Sequence, residues 1–272
     1  MRLTLLLLLA FVSLPAQNPD WSAPFPAHTI AGNLHYVGTK DLACYLITTP
    51  QGHILINTGL ADSVPLMQAS AKKLGFDLKD VKILLTMQAH YDHVAAFAAV
   101  QKLSGAKVYA TEGDAAYLED GGKSDPLFLA FADQDFSFKP VKVDRRLKDG
   151  ETVKLGGTEV RVISLPGHTR GAAGYSVNGV LIVNLPSVVI KLMGNKAYPN
   201  IVADYEATFV KLKQLHPTAW VAGHGSQYDL DAKYAKKSFV DPDGYTRAVV
   251  SYEKTFKEKL AREKLAKEQG SR

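Results

Sequence analysis

Cysteine is almost absent from this sequence, since Cys44 is the only one among its 272 residues. A single thiol cannot form an intramolecular disulfide. Cys44 lies in the apolar, strand-like segment Leu42 to Ile47. We therefore expect it to be a small buried core residue and not a nucleophile.

Long apolar runs are also missing beyond the N-terminus, which argues against a transmembrane helix. An apolar run from Leu3 to Leu14 that ends at the small residue Ala16 predicts a signal peptide over residues 1–16. This leader has no cysteine to which a lipid could be attached. We expect a periplasmic or secreted product without a membrane partner, in which residues 17–272 form one domain.

A run of charges of one sign is the third missing feature, although the formal net charge is +5. Lys, Arg and Glu alternate from Lys254 to Lys267, a pattern that predicts a solvent-facing helix in which opposite charges support each other. A nucleic-acid-binding surface would instead present one sign. We therefore expect no nucleic-acid partner.

The segment from Gln88 to His93, Gln-Ala-His-Tyr-Asp-His, is the most informative stretch that the chain does contain. It places two imidazoles, a carboxylate and a carboxamide directly after the apolar, strand-like run Val81 to Leu85. Nitrogen and oxygen donors without thiolate suit Zn²⁺ at a catalytic site. The six residues alone would fit metal ligands and surface histidines about equally well.

Two further histidines favour the metal site. His168 follows the strand-like run Glu159 to Ser164, and His224 follows a second such run, Ala219 to Ala222. Three strands therefore end close to histidine, and the turns at His168 and His224 contain glycine. Because functional groups in α/β sheets gather outside the strand ends, we expect these loops to meet around a metal centre.

These residues resemble the metallo-β-lactamase superfamily, whose motif is His-x-His-x-Asp-His followed by two distant histidines. The chain looks most like the zinc β-lactamases of subclass B3, over about residues 28 to 265. The first motif position is Gln88 instead of histidine, as in the GOB-like branch. Segments similar to that subclass are Asn57 to Gly59, Gly121 to Asp125, Pro186-Ser187, Ala197 to Asn200 and His224 to Asp229.

The order of predicted elements agrees with the fold that this resemblance implies. Strands and helices alternate in two halves, and the pair Asn178-Gly179 between Tyr175 to Val177 and Val180 to Val183 predicts a hairpin. We expect an α/β protein with a four-layer αβ/βα sandwich, the metallo-β-lactamase fold, and a site in the cleft where the sheets meet.

The resemblance implies two zinc positions. Gln88, His90 and His168 would form the first ligand set, and Asp92, His93 and His224 would form the second. Asp92 would have a catalytic role as well, because its carboxylate can hold the nucleophile in line. A carboxamide is a weaker zinc donor than imidazole, so we expect the Asp92/His93/His224 site to be the tighter one.

The expected reaction is hydrolysis of a β-lactam amide by a zinc-activated hydroxide, an antibiotic-resistance activity. Related thioesterases and lactonases usually carry a bridging aspartate after the strand between the last two histidines, where this chain reads Ile182-Val183-Asn184-Leu185-Pro186. Ser187 is the predicted contact for the substrate carboxylate, and Lys123 is a weaker candidate.

Two alternatives to a β-lactamase stay open. One is another metallohydrolase of the same fold, such as a lactonase or thioesterase. The other is a non-catalytic metal-binding relative. We expect a small-molecule substrate and a monomer.

Overall fold

The computed structural model describes residues 18–131 and 134–270. The predicted leader lies outside these residues. Two β-sheets stack face to face, and the side chains between them form the larger of two apolar cores. The smaller core lies between the first sheet and its helices. The predicted four-layer α/β sandwich is thereby confirmed.

The first sheet has seven strands in the spatial order of the sequence. Its first four strands are antiparallel neighbours, and the remaining neighbours are parallel. The strands are β1 (His28–Ala31), β2 (Leu34–Tyr36), β3 (Tyr45–Thr49), β4 (Gly52–Ile56), β5 (Val81–Leu85), β6 (Lys107–Thr111) and β7 (Arg145–Leu147).

The second sheet has five strands: β8 (Thr152–Leu155), β9 (Thr158–Ser164), β10 (Ala173–Val177), β11 (Val180–Val183) and β12 (Ala219–Ala222). They lie in the spatial order β12-β11-β10-β9-β8. The β11–β12 pair is parallel and the other pairs are antiparallel, so β9, β11 and β12 run in the same direction. Their carboxyl ends therefore lie along one edge of the sheet. The predicted β10–β11 hairpin is present, with Asn178 at φ 53° in its turn.

Eight α-helices lie in the described part of the chain: α1 (Val64–Lys73), α2 (Tyr91–Val94), α3 (Phe97–Ser104), α4 (Glu112–Asp120), α5 (Pro126–Ala130), α6 (Ile201–Gln214), α7 (Leu230–Lys236) and α8 (Pro242–Gly270). Helices α1, α3 and α4 bury Met67, Phe97 and Leu118 in the smaller core. Helices α6 and α8 cover the second sheet with Phe209, Phe256 and their neighbours. None of the described helices is long and apolar enough to cross a membrane.

The C-terminal helix differs from its prediction. It was expected over Lys254 to Lys267 as a solvent-facing element, but α8 begins at Pro242 and buries one side. Tyr245, Val249, Phe256 and Leu260 are at most 6% exposed on that side. The charged pairs lie on the opposite side, as at Lys257 and Glu253. The local charge pattern identified the polar face of the helix. It did not identify the regularly spaced apolar residues through which the helix packs against the rest of the protein.

Candidate metal centre

The six predicted ligands lie in segments that leave the carboxyl ends of three strands, and Asp92 and His93 belong to the short helix α2. Gln88, His90, Asp92 and His93 follow β5, His168 follows β9, and His224 follows β12. Because the edges of the two sheets meet there, residues far apart in sequence become neighbours. A cleft of about 370 Å³ opens at this edge and is lined by five of the six, all except His93.

Asp92, His93 and His224 form the tightest group. Their potential ligand atoms all lie within 4.8 Å of one another. Asp92 Oδ2 is 3.6 Å from His93 Nε2 and 3.4 Å from His224 Nε2. The carboxylate and both Nε2 atoms therefore converge on one point.

Asp41 orients His224 from behind. Its Oδ2 accepts a hydrogen bond from His224 Nδ1 at 3.0 Å, which leaves Nε2 directed at Asp92. The same oxygen accepts from Trp21 Nε1 at 3.0 Å, and Oδ1 accepts from the Ser226 amide at 2.9 Å. A carboxylate behind an imidazole is the usual way in which proteins fix a metal-binding histidine.

The second group comprises Gln88, His90 and His168. The rings of His90 and His168 lie 4.7 Å apart between centroids, and Gln88 Nε2 is 3.3 Å from His90 Nδ1. His168 Nδ1 donates to the Ser187 carbonyl oxygen at 2.7 Å, which leaves its Nε2 as a donor for a metal. His90 Nε2 lies 3.3 Å from Asp125 Oδ1, so its Nδ1 is the nitrogen that faces the group.

Asp114 joins the two loops that carry this second group. The carboxylate is 1% exposed, and its oxygens accept from the Ala89 amide at 2.8 Å, the Thr169 hydroxyl at 2.8 Å and the Gly171 amide at 2.7 Å. Burial raises the pKa of Asp114 to about 6, against the opposing effect of these hydrogen bonds. One side chain of α4 thus holds the His90 loop against the His168 loop.

The protonation of His93, His168 and Asp92 suits metal binding. Burial lowers the pKa of His93 to about 3 and that of His168 to about 4, so both rings are neutral and carry a free lone pair. Burial alone would raise the pKa of Asp92, but His93 and His224 hold it well below its ordinary value. His224 differs, because burial would lower its pKa but Asp41 and Asp92 raise it to about 9. In the metal-free protein this ring is protonated at neutral pH, and it must release a proton to bind a metal.

The residues present fit a zinc ion. His93 Nε2 is buried without a hydrogen-bond partner, although it lies beside Asp92 and His224. A buried imidazole nitrogen without a partner costs free energy unless something binds it. Nitrogen and oxygen donors of this kind, with no thiolate among them, match the ligand preference of Zn²⁺.

The two candidate substrate contacts and Tyr198, from the segment Ala197 to Asn200, have different positions. Ser187 lines the cleft, and its Oγ lies 3.2 Å from His168 Nδ1. Lys123 is exposed and is not among the residues that line the cleft. Tyr198 is 3% exposed in the larger core, where its hydroxyl donates to Asp204 at 2.7 Å, so it supports the fold.

Sequence reasoning missed the residues behind the ligands. Asp41 and Asp114 belong to no recognisable motif, and both reach the site through contacts between distant parts of the chain. Asp125 is marked in the sequence only as the last residue of the segment Gly121 to Asp125. Trp21 lines the cleft beside His224, with 6.1 Å between ring centroids. No local pattern in the sequence marks any of the four as part of a site.

Comparison with known protein families agrees with this geometry. The family model described as the metallo-beta-lactamase superfamily matches residues 41–224. This chain belongs to the metallo-β-lactamase superfamily. The match begins at Asp41 and ends at His224, so it includes all six candidate ligands. Membership makes the protein a hydrolase of this superfamily.

Two solved structures of the superfamily are similar over nearly the whole chain. The metallo-β-lactamase GOB-18 from Elizabethkingia meningoseptica is 40% identical with a TM-score of 0.86, and the match covers 92% of this chain and 97% of that one. The class B3 di-zinc metallo-β-lactamase LRA-12 from an Alaskan soil metagenome is 42% identical with a TM-score of 0.85, covering 91% and 98%.

Curated relatives of this chain are described by a different reaction from that of the two solved metallo-β-lactamases. The hydroxyacylglutathione hydrolase of Jannaschia sp. is 25% identical over 204 residues, which cover 75% of this chain and 69% of that protein. For two further hydrolases of the same description, the match covers only 43% and 56% of their length. Superfamily membership therefore leaves the substrate to be argued from the site.

Proposed function

We propose that this protein is a zinc-dependent β-lactamase of the subclass B3 type, GOB-like in having Gln88 at the first motif position. The observation that carries the proposal is the meeting of two potential ligand groups, Gln88/His90/His168 and Asp92/His93/His224, in one cleft. The 40–42% identity to solved metallo-β-lactamases over nine-tenths of the chain supports the substrate class.

The two groups would hold two Zn²⁺ ions. When bound, zinc lowers the pKa of water to about 7 and polarises the carbonyl under attack. Asp92 stays ionised because its pKa is held below the ordinary value. Its carboxylate can therefore accept a hydrogen bond from the attacking water and keep it in line with the amide carbon. Asp41 and the Ser187 carbonyl keep His224 and His168 in the tautomers with Nε2 free.

The walls of the cleft fit a small and largely apolar substrate. Its apolar lining consists of Trp21, Tyr91, Leu127, Phe131, Phe136 and Val189. Among the described residues that line it, none is lysine or arginine. A β-lactam with one carboxylate needs few polar contacts, and Ser187 is placed to donate one of them.

A glutathione thioesterase is the second candidate, because the curated relatives are hydroxyacylglutathione hydrolases. Glutathione carries two carboxylates and an ammonium group, which an apolar cleft without a described cation does not match. The residue directly after β11 is Asn184, where the superfamily's thioesterases usually carry a bridging aspartate. Both features favour the β-lactam over the thioester.

The deciding experiment compares two substrates with purified protein at defined zinc. We expect hydrolysis of nitrocefin and of a small β-lactam panel, and little or no hydrolysis of a hydroxyacylglutathione thioester. Activity should disappear with a chelator, return with Zn²⁺ and be absent from Asp92→Asn. Thioester hydrolysis without β-lactam hydrolysis would refute the proposal, and zinc binding without either activity would point to a non-catalytic relative.

Location and organisation belong to the same proposal. The predicted leader over residues 1–16 would direct the protein to the periplasm or outside the cell, and residues 17–272 would act as one monomeric domain. Mass spectrometry of the protein from a periplasmic fraction should give a chain that begins near Gln17. Size-exclusion chromatography with light scattering should give the monomer mass.

A further inference from the structure

Asn184 is buried at the carboxyl end of β11, where it is 4% exposed. Its Nδ2 donates to the Met87 carbonyl oxygen at 2.8 Å and to Gln88 Oε1 at 3.1 Å. A backbone carbonyl can only accept, so it fixes the NH₂ end of the Asn184 carboxamide on this side. Reversing that carboxamide would bring two oxygens together.

The orientation of Gln88 follows from that of Asn184. Because the NH₂ of Asn184 faces it, the neighbouring atom of Gln88 must be the acceptor, Oε1. Gln88 Nε2 then points the opposite way and lies 3.3 Å from His90 Nδ1. Asp125 beside His90 Nε2 favours the tautomer in which Nδ1 accepts this hydrogen bond. Both neighbours of Gln88 therefore favour the same orientation.

This orientation opposes metal binding at the first position. A carboxamide binds a cation through its oxygen, whereas its NH₂ group carries two donor hydrogens and offers no ligand. Here the oxygen is engaged by Asn184 and the NH₂ group faces His90. Rotating the Gln88 carboxamide by half a turn would place two NH₂ groups against each other and lose the Asn184 hydrogen bond.

We propose that Asn184 is a positioning residue that sets the orientation of the Gln88 carboxamide and thereby weakens zinc binding by Gln88, His90 and His168. The inference rests on the ligand sets of the proposed function. It attributes the lower zinc affinity expected at the Gln88/His90/His168 position to Asn184 as well as to the weak donor strength of the Gln88 carboxamide.

The test is zinc binding by Asn184→Ala, measured by competition with a chromophoric chelator. The Met87 carbonyl oxygen still accepts a hydrogen bond from the Ala173 amide at 2.8 Å, so this substitution does not leave it without a donor. We expect the second equivalent of Zn²⁺ to bind about three- to tenfold more tightly. This factor corresponds to the net free energy of one neutral hydrogen bond, which the variant no longer has to break. The first equivalent should bind as in the parent protein.

The matched control is the same substitution in a Gln88→His background. Histidine has no carboxamide to orient, so removing Asn184 there should change the second equivalent less than twofold. Unchanged or weaker binding in Asn184→Ala, or equal tightening in both backgrounds, would overturn the inference. If Asn184→Ala does not fold, Asn184→Leu removes the same donor at similar volume and must give the same tightening.

Zinc binding by Gln88→Ala and a β-lactam hydrolysis assay separate this inference from the proposed function. Gln88→Ala should loosen the second equivalent, and no effect there would mean that the ligand set is wrong. None of the binding measurements requires turnover. Tightening in Asn184→Ala together with failure to hydrolyse any β-lactam would keep the orientation role and reject the substrate.

Discussion

At the scale of single residues, hydrogen bonds to three of the candidate ligands set the orientation of their side chains. Asp41 holds His224, the Ser187 carbonyl holds His168, and Asn184 holds Gln88. These contacts decide which atom of each ligand is available. Substitutions behind the ligands should therefore change metal binding without removing any ligand.

Asp41→Asn should loosen the Asp92/His93/His224 position. An amide can still hold His224, but it lacks the charge that makes the imidazole a stronger donor. We expect zinc affinity at this position to fall by about 10- to 100-fold, as is usual for such partners, measured by chelator competition. Asp20→Asn is the control, because Asp20 is paired with exposed Lys40 and does not contact His224.

Gln88→His should strengthen the weaker zinc position. Imidazole is a better zinc donor than a carboxamide, and it has no NH₂ end to be held toward His90. Stepwise titration of the metal-free protein should show the second equivalent binding more tightly. Equal affinities in the parent and the variant would contradict this expectation.

At the scale of elements, the site depends on strands whose carboxyl ends lie close together and on helices that pack against the outer face of the second sheet. Helix α8 packs Phe256 within 5.1 Å of Tyr205 on α6, between ring centroids, and the Tyr205 hydroxyl donates to the Ser187 carbonyl at 2.6 Å. A chain of contacts therefore runs from the C-terminal helix to the carbonyl that holds His168.

Phe256→Ala should destabilise the protein substantially. The side chain is 2% exposed, and truncating a buried phenylalanine costs about 3–5 kcal/mol. Urea denaturation of the metal-free protein gives the change in unfolding free energy. The adjacent Lys257→Ala is the control, since Lys257 is exposed and its i,i+4 pair with Glu253 contributes about 0.5 kcal/mol. Similar losses for both variants would contradict the packing described for α8.

Lys233 on α7 should make stability depend on pH. Burial lowers the pKa of its amine to about 8, although Asp241 partly opposes this. Between that value and the ordinary 10.5, the unfolded chain binds the proton and the native protein does not, so native stability rises with pH. We expect the unfolding free energy, relative to Lys233→Met, to increase from pH 8 to pH 10. If the difference in unfolding free energy between the parent and Lys233→Met does not change with pH, the lowered pKa of Lys233 is contradicted.

At the scale of the whole molecule, the ligand sets join the two sheets. Gln88, His90, Asp92 and His93 come from the first sheet, and His168 and His224 come from the second. An ion held between the sheets binds the native state and not the unfolded one. Metal binding therefore adds directly to the free energy of unfolding.

Zinc should raise the melting temperature. Free Zn²⁺ at a hundred times the dissociation constant adds about 2.7 kcal/mol, on the order of 5–10 °C for a chain of this size. Differential scanning calorimetry with and without a chelator measures the shift. Asp92→Asn should reduce it, and an equal shift in that variant would place the stabilising ion elsewhere.

Much of the fold could be predicted because its signals are local. Strands β5 and β12 have the bounds of the apolar runs from which they were predicted. These segments are continuous apolar runs that depend on near neighbours. The failures involve distant partners: α8 starts twelve residues early, and α4 was not predicted although it carries Asp114.

The sequence by itself determined the α/β class and the candidate ligands, because ligand type and position after a strand are properties of short segments. The grouping of these ligands into two sets came from the resemblance to a known family. Only the tertiary structure decided how those ligands are oriented. Asp41 meets His224 across 183 residues, and Asn184 meets Gln88 across 96. Contacts of that kind depend on how the two sheets pack, so no local pattern encodes which end of the Gln88 carboxamide faces His90.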